Sequence, residues 1–166
     1  SDDEQYPGQF GLWEGNCRRS LRGKRGQASL RELEAALLAL SEKRLIAHVL
    51  EDEAGAVCAL GALVKYQGTD VSGIDTEHEM VEVGVRCGMP RLVAWSVVAQ
   101  NDIHNDVVWE VAHGPIQQGH GTYQGGIPLI RDITPEERYE RILAWVRVQL
   151  SASDGTATKT DGSQSD

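Results

Sequence analysis

Gln27-Ala28-Ser29-Leu30-Arg31-Glu32-Leu33-Glu34-Ala35-Ala36-Leu37-Leu38-Ala39-Leu40-Ser41-Glu42-Lys43 decides the fold class. Leu30, Leu33, Leu37 and Leu40 recur at intervals of three and four, with Ala35, Ala36 and Ala39 beside them. That period places one apolar stripe on one side of a helix, and leucine and alanine are strong helix formers, so the stretch predicts a helix over 27–43. A helix with one apolar face needs other apolar faces to bury it, and the rest of the chain supplies them in the same period.

Downstream, Thr134-Pro135-Glu136-Glu137 is a capping box with proline at the first helical position. Tyr139, Ile142, Leu143, Val146 and Leu150 then give a second apolar face. Upstream, Phe10, Trp13, Cys17 and Leu21 share helical spacing, and Gly23 and Gly26 are expected to break that helix. Leu45 to Leu50 reads as a short strand, Glu51 to Gly55 as a polar turn, and Val57 to Val64 as a second strand or, on composition, a helix. Thr76 is placed to cap a helix running to Gly84 or Cys87. Pro90 opens another, whose apolar residues Leu92, Val93, Trp95, Val97 and Val98 are too many for one face, so burial on most sides is expected.

These readings describe a mainly α protein: one compact helical domain of about five helices over 10–150, with a short β element near Leu45 to Val57 or in the 103–131 segment. Residues 1–9 form an acidic N-terminal segment. The 103–131 stretch, rich in Gly, His, Gln and Asn, reads as a long loop or insertion with room for a small hairpin, and 151–166, rich in Ser, Thr, Gly and Asp, as a disordered tail. Only one Phe occurs in 166 residues, so the core is expected to be aliphatic.

Cys17, Cys58 and Cys87 form an odd set without a CxxC pair, which argues against a disulfide framework or a zinc module. No apolar run reaches the ~20 residues of a membrane span, and Ser1 to Gln5 is acidic where an export signal would be basic and apolar. Against a formal net charge of -9, five cations, Arg18, Arg19, Arg22, Lys24 and Arg25, fall within the nine positions from Arg18 to Gly26. Charge this segregated marks a contact surface, for a partner macromolecule or for the chain's own carboxylates.

Arg22-Gly23-Lys24-Arg25-Gly26-Gln27, Leu33 to Leu40, Val57-Cys58-Ala59-Leu60-Gly61-Ala62-Leu63, Asn101-Asp102 and Thr134-Pro135-Glu136-Glu137-Arg138 occur in this order. In this succession the chain resembles, over roughly 10–150, a group of small phage and prophage proteins. Its members run more directly from the Asn-Asp pair to the last helix, so Ile103 to Arg131 resembles an insertion. The resemblance carries no activity and no catalytic residues. It implies a phage or prophage origin and work inside an infected or lysogenic bacterial cell.

Four arrangements are weighed for chemistry. Val83 to Val98 threads as a helix-turn-helix with Gly88 in the turn, but offers only Arg91 and Ser96 as polar readers, so a structural helical hairpin is the alternative. Cys58 at a helix start is where a helix dipole lowers a thiol's pKa, with His48, His104, His113, His120, Asn101 and Asp102 as base and orienter if the fold gathers them. Flanked by Val57, Ala59 and Leu60, it also reads as a small buried residue. A metal would draw on His104, His113, His120, Asp102 and Asp106, at spacings that fit no familiar site. Gly119 to Gly126 lacks both nucleotide-loop patterns.

The expectation is therefore a phage-type accessory protein, not an enzyme, that binds a host or phage macromolecule stoichiometrically, as anti-defence and host-takeover proteins do. A virion structural protein and a Cys58-dependent enzyme are the alternatives. A host or phage protein is the expected partner, nucleic acid the second through the basic patch, with no membrane partner, no cofactor and no metal. The compartment expected is the host bacterial cytoplasm.

Overall fold

The computed structural model describes residues 2–103, 105–111, 116–118, 121–123 and 126–164, with side chains described over 11–103 and 131–152. Among these residues the protein is mainly α, as expected. Six helices form, against about five expected: α1 (Asp2–Arg22), α2 (Lys24–Ala39), α3 (Ala59–Gln67), α4 (Met80–Arg86), α5 (Arg91–Asn101) and α6 (Pro135–Gln164). Between α5 and α6 lie strands β1 (Asn105–Val111), β2 (Ile116–Gln118), β3 (Gly121–Tyr123) and β4 (Gly126–Asp132). β1 pairs antiparallel with β4 and β2 with β3, and the first pairing sets Val107 opposite Ile130 and Val108 opposite Leu129. No described helix is long and apolar enough to cross a membrane.

The stripe on α2 becomes the centre of the core. Leu30, Leu33 and Leu37 are fully buried against Leu60 and Leu63 of α3 and Ile142 and Val146 of α6. Each such side chain contributes about 1.5–3 kcal/mol on leaving water. The helix ends at Ala39, not Lys43, because Lys43 folds back and donates its ammonium to the carbonyls of Leu38 and Leu40. Cations at a helix C-terminus satisfy orphan carbonyls in this way.

Only one of the two expected glycine breaks occurs. The chain turns at Gly23, and α2 begins at Lys24, so Gly26 lies inside a helix. Its missing side chain lets α2 approach α1: a Cβ there would sit 1.9 Å from the Ser20 carbonyl oxygen. Close backbone contact, not a turn, is this glycine's role.

Leu45 to Leu50 forms no strand. Ile46 donates to the Val57 carbonyl, Cys58 to that of Leu50, and a single antiparallel bridge joins Glu51 to Val57, while His48 at φ +71 breaks the extended path. Val57 to Val64 resolves toward helix, with Cys58 as N-cap of α3 and Gly68, in the left-handed region at φ +73, as its C-cap. Thr76 does not cap α4, which starts four residues later with no side-chain cap. Asp75 takes that part, accepting from the amides of Glu77 and His78 in an Asx-type turn that holds the chain out of helix until Met80.

α4 and α5 form a tight helical hairpin around Gly88 at φ +96. Gly84 abuts Ala94, where a Cβ would lie 2.6 Å from the alanine's own. The capping box of α6 closes in both directions, Glu137 N–H to Thr134 Oγ1 at 3.2 Å and Thr134 N–H to Glu137 Oε1 at 3.3 Å. Arg131 adds two bonds of 2.7 Å to the same carboxylate and, with them, holds its pKa at about 2. At its far end α6 continues to Gln164, so 151–164 are helical in the structure. Once α6 is nucleated and packed, each added residue gains a backbone hydrogen bond without paying nucleation again.

Two polar side chains tie the end of α5 to the rest. Asn101, 3% exposed, accepts from the Ala59 amide at 3.0 Å and donates to the Ile46 carbonyl at 3.0 Å. Arg138 of α6, also buried, donates to the carbonyls of Asn101 and Ile103, the latter at 2.7 Å.

Candidate functional site

α1 carries its apolar residues Trp13, Cys17 and Leu21 at i, i+4 and i+8, and the last two are buried. Arg18 and Arg22, also four apart, occupy the adjoining strip and are exposed. Arg19 turns back on its own helix, bonding the Gly15 carbonyl and the Asn16 side chain. Lys24 and Arg25 begin α2, which has no acidic residue in its first turn and no side-chain cap at Gly23. Cations at the positive end of a helix dipole oppose it, each by about 0.3–1 kcal/mol in the exposed case. The five cations of the sequence motif thus divide into three environments. Among the described residues no ion pair engages Arg18, Arg22, Lys24 or Arg25.

Arg18 and Arg22 line a groove of ≈ 360 Å³ between α1, α5 and α6 whose apolar surface comes from Leu21, Trp95, Trp145 and Val148. An adjoining shallow hollow of ≈ 290 Å³ shares Arg18 and Trp95 and is lined also by Glu14 and by Trp13, whose ring meets Trp95 edge to face at 5.0 Å between centroids. Trp95 is 43% exposed and Val148 60% exposed. α5 is buried on most sides, as expected, and leaves one stripe outward. Val93, Ala94 and Val97 are buried, but Arg91, Trp95 and Ala99, at i, i+4 and i+8, form an outward stripe. Counting apolar residues misses this; their angular placement would have shown Trp95 apart from Val93 and Val97. On α6, likewise, Trp145 and Val148 lie off the face of Tyr139, Ile142 and Val146.

A second, wider cleft of ≈ 980 Å³ opens between the turn at His48, the 73–82 segment and the end of α5. His48 donates its amide to Asp102 Oδ1 at 3.1 Å, and its ring Nδ1 stands 3.7 Å from Oδ2. Asn101 Nδ2 bonds the same carboxylate at 3.0 Å. On the opposite wall, hydrogen bonding to Asp75 raises the His78 pKa, and the Arg91 guanidinium lowers that of Glu82.

The structure therefore gathers His48, Asn101 and Asp102 around the start of α3, but it does not activate Cys58. The thiol is 3% exposed, and its Sγ accepts from the Gly61 amide at 3.4 Å. Desolvation outweighs that bond and pushes the pKa up from 9.0 to about 11. The expected lowering by the helix start is thus reversed, because a buried thiolate lacks water and sees the Asp102 carboxylate. The sign follows: the neutral buried thiol contributes stability below the unfolded value of 9.0, and that contribution is lost as pH rises through about 11. At pH 8 Cys58 is therefore held as the neutral thiol. Iodoacetamide at that pH is expected to spare Cys58 in the native protein, label half-buried Cys87 first, and reach Cys58 only in urea. Peptide mapping checks this, and native labelling of Cys58 ahead of Cys87 would refute it.

His104, His113, His120 and the side chain of Asp106 lie outside the described residues. Among the described ones, no group of three or more His, Cys, Asp or Glu is placed to hold a metal ion. Comparison of the chain with protein-family models, with curated proteins and with solved structures finds no match.

Proposed function

We propose that this is a phage-type accessory protein that acts without catalysis, by stoichiometric binding to a host or phage macromolecule in the host bacterial cytoplasm. Anti-defence and host-takeover proteins work in this manner. The observation that carries the reading is the groove in which Arg18 and Arg22, unpaired among the described residues, flank the exposed Trp95. Tryptophan and arginine dominate the energetics of protein interfaces, because a large flat apolar surface and a delocalised cation lose little when desolvated together.

The test is affinity purification of the tagged protein from infected cells, with and without nuclease and at two salt concentrations, beside the double variant Arg18→Glu/Arg22→Glu. Both arginines are exposed, so the variant should keep its thermal midpoint within about 2 °C, the range of surface substitutions. The wild type is expected to retain a partner at near 1:1 stoichiometry, and the variant to lose it by at least about tenfold, as truncating one interface hot spot does. No specific partner, or equal recovery by both forms, removes this reading. Loss of all bound material with nuclease would make the partner a nucleic acid.

A further inference from the structure

Resting on that docking face, we infer that the occupant of the groove is an amphipathic helix of a partner protein, apolar on one side and flanked by carboxylates. The groove is lined by residues of α1, α5 and α6, three helices that pack against one another pairwise. From Trp13 to Arg22 along α1 it runs nine residues, about 14 Å at 1.5 Å per residue, which spans two to three turns of a helix laid in it. Helices recognised in such grooves insert residues i, i+3 or i+4, and i+7. The two joined hollows, one against Trp13 and Trp95 and one against Trp145 and Val148, give those anchors separate places.

Chemistry then selects the class. The 360 Å³ groove is mostly apolar, and its cations, Arg18 and Arg22, stand together along the α1 side, while the carboxylate of Glu14, one turn before Arg18, lines the adjoining hollow and confines the cationic edge to the Arg18–Arg22 end. A nucleic-acid strand would need cations following its backbone along the groove, whereas α6 contributes Gln149 and Ala152 there. An apolar stripe bordered by Glu or Asp matches both the apolar surface and the charged edge. Electrostatic complementarity fixes the orientation and speeds encounter, while burial of the apolar stripe supplies the affinity. A contact of three turns covers less than the ~800 Å² per partner of a standard interface, so an isolated helix should bind in the micromolar range.

The probes are four: an 18-residue peptide without tryptophan carrying leucines at i, i+3, i+4 and i+7 flanked by glutamates; its twin with lysines for the glutamates; a form with serines for the leucines; and an 18-nucleotide dT oligomer. Titration follows the protein's own tryptophan fluorescence. The glutamate–leucine peptide should bind at least tenfold more tightly than the other three, and Arg18→Glu/Arg22→Glu should reverse the ranking of the two leucine peptides. Equal binding by the serine form, preference for the dT oligomer, no binding of any probe, or an unreversed ranking in the variant overturns the helix assignment. If partner capture from cells still depends on Arg18 and Arg22 in that event, the docking face stands and only its occupant is wrong.

Discussion

Asn101→Leu is expected to destabilise the protein by about 2–6 kcal/mol, with loss of the cooperative native state at the upper end of that range. Leucine has similar bulk, so the effect comes from polarity. The Ala59 amide and the Ile46 carbonyl, both bonded at 3.0 Å by the Asn101 side chain, would be left inside without partners. Each buried orphan costs about 1–3 kcal/mol, a large share of the ~5–15 kcal/mol that separates native from unfolded domains. The bond from Asn101 to Asp102 also positions the carboxylate that receives the His48 amide, so the turn at 46–50 should loosen with it. Urea unfolding monitored by circular dichroism measures the loss. A decrease below about 1 kcal/mol would mean that water or a neighbouring group takes over both bonds, and the linchpin role given to Asn101 would be wrong.

The second large effect is at Gly26. Valine there places its Cβ where the Ser20 carbonyl oxygen stands, at 1.9 Å, with the Leu21 carbonyl oxygen at 3.1 Å. Both obstacles are backbone, so the α1–α2 corner itself must open. Overpacking of this kind costs about 3 kcal/mol, the upper end for inserted bulk in a packed interior. For a chain of this length that corresponds to a fall of roughly 6–12 °C in Tm. Gly23→Ala is the control: at φ -66, with its nearest new contact at an ordinary 3.4 Å, it should leave Tm within about 2 °C. Equal effects from the two substitutions would overturn the distinction between a corner glycine and a contact glycine.

The contrast between Gly23 and Gly26 also shows where sequence reading stops. Local periodicity located α2, because Leu30, Leu33 and Leu37 encode one face within a few turns, and hydrogen-bond chemistry located the start of α6, because Thr134 and Glu137 satisfy each other across three residues. Gly26 looked like a breaker because the carbonyl it approaches belongs to another helix. Thr76 looked like a cap because Asp75, one position earlier, competes for the same amides. At the candidate site the motif gave the cations but not their company. Arg18 and Arg22 meet Trp95 and Trp145 only through tertiary packing of segments more than seventy residues away. The polarity of Asn101 and Asp102 was visible, while their bonds to Ala59 and His48 depend on where α3 lies.

Arg138 holds the carbonyls of Asn101 and Ile103 from within α6, and the first rung of the β1–β4 ladder sets Asn105 opposite Asp132. The strand segment therefore leaves and re-enters the helical body through a single closed gate. For a span whose ends are already fastened together, each doubling of length adds only about 0.6 kcal/mol of closure entropy. Added length beyond that gate is therefore expected to cost the helical body little. The hairpin is a place where this fold can lengthen, shorten or exchange sequence while α2, α3, α5 and α6 keep their packing.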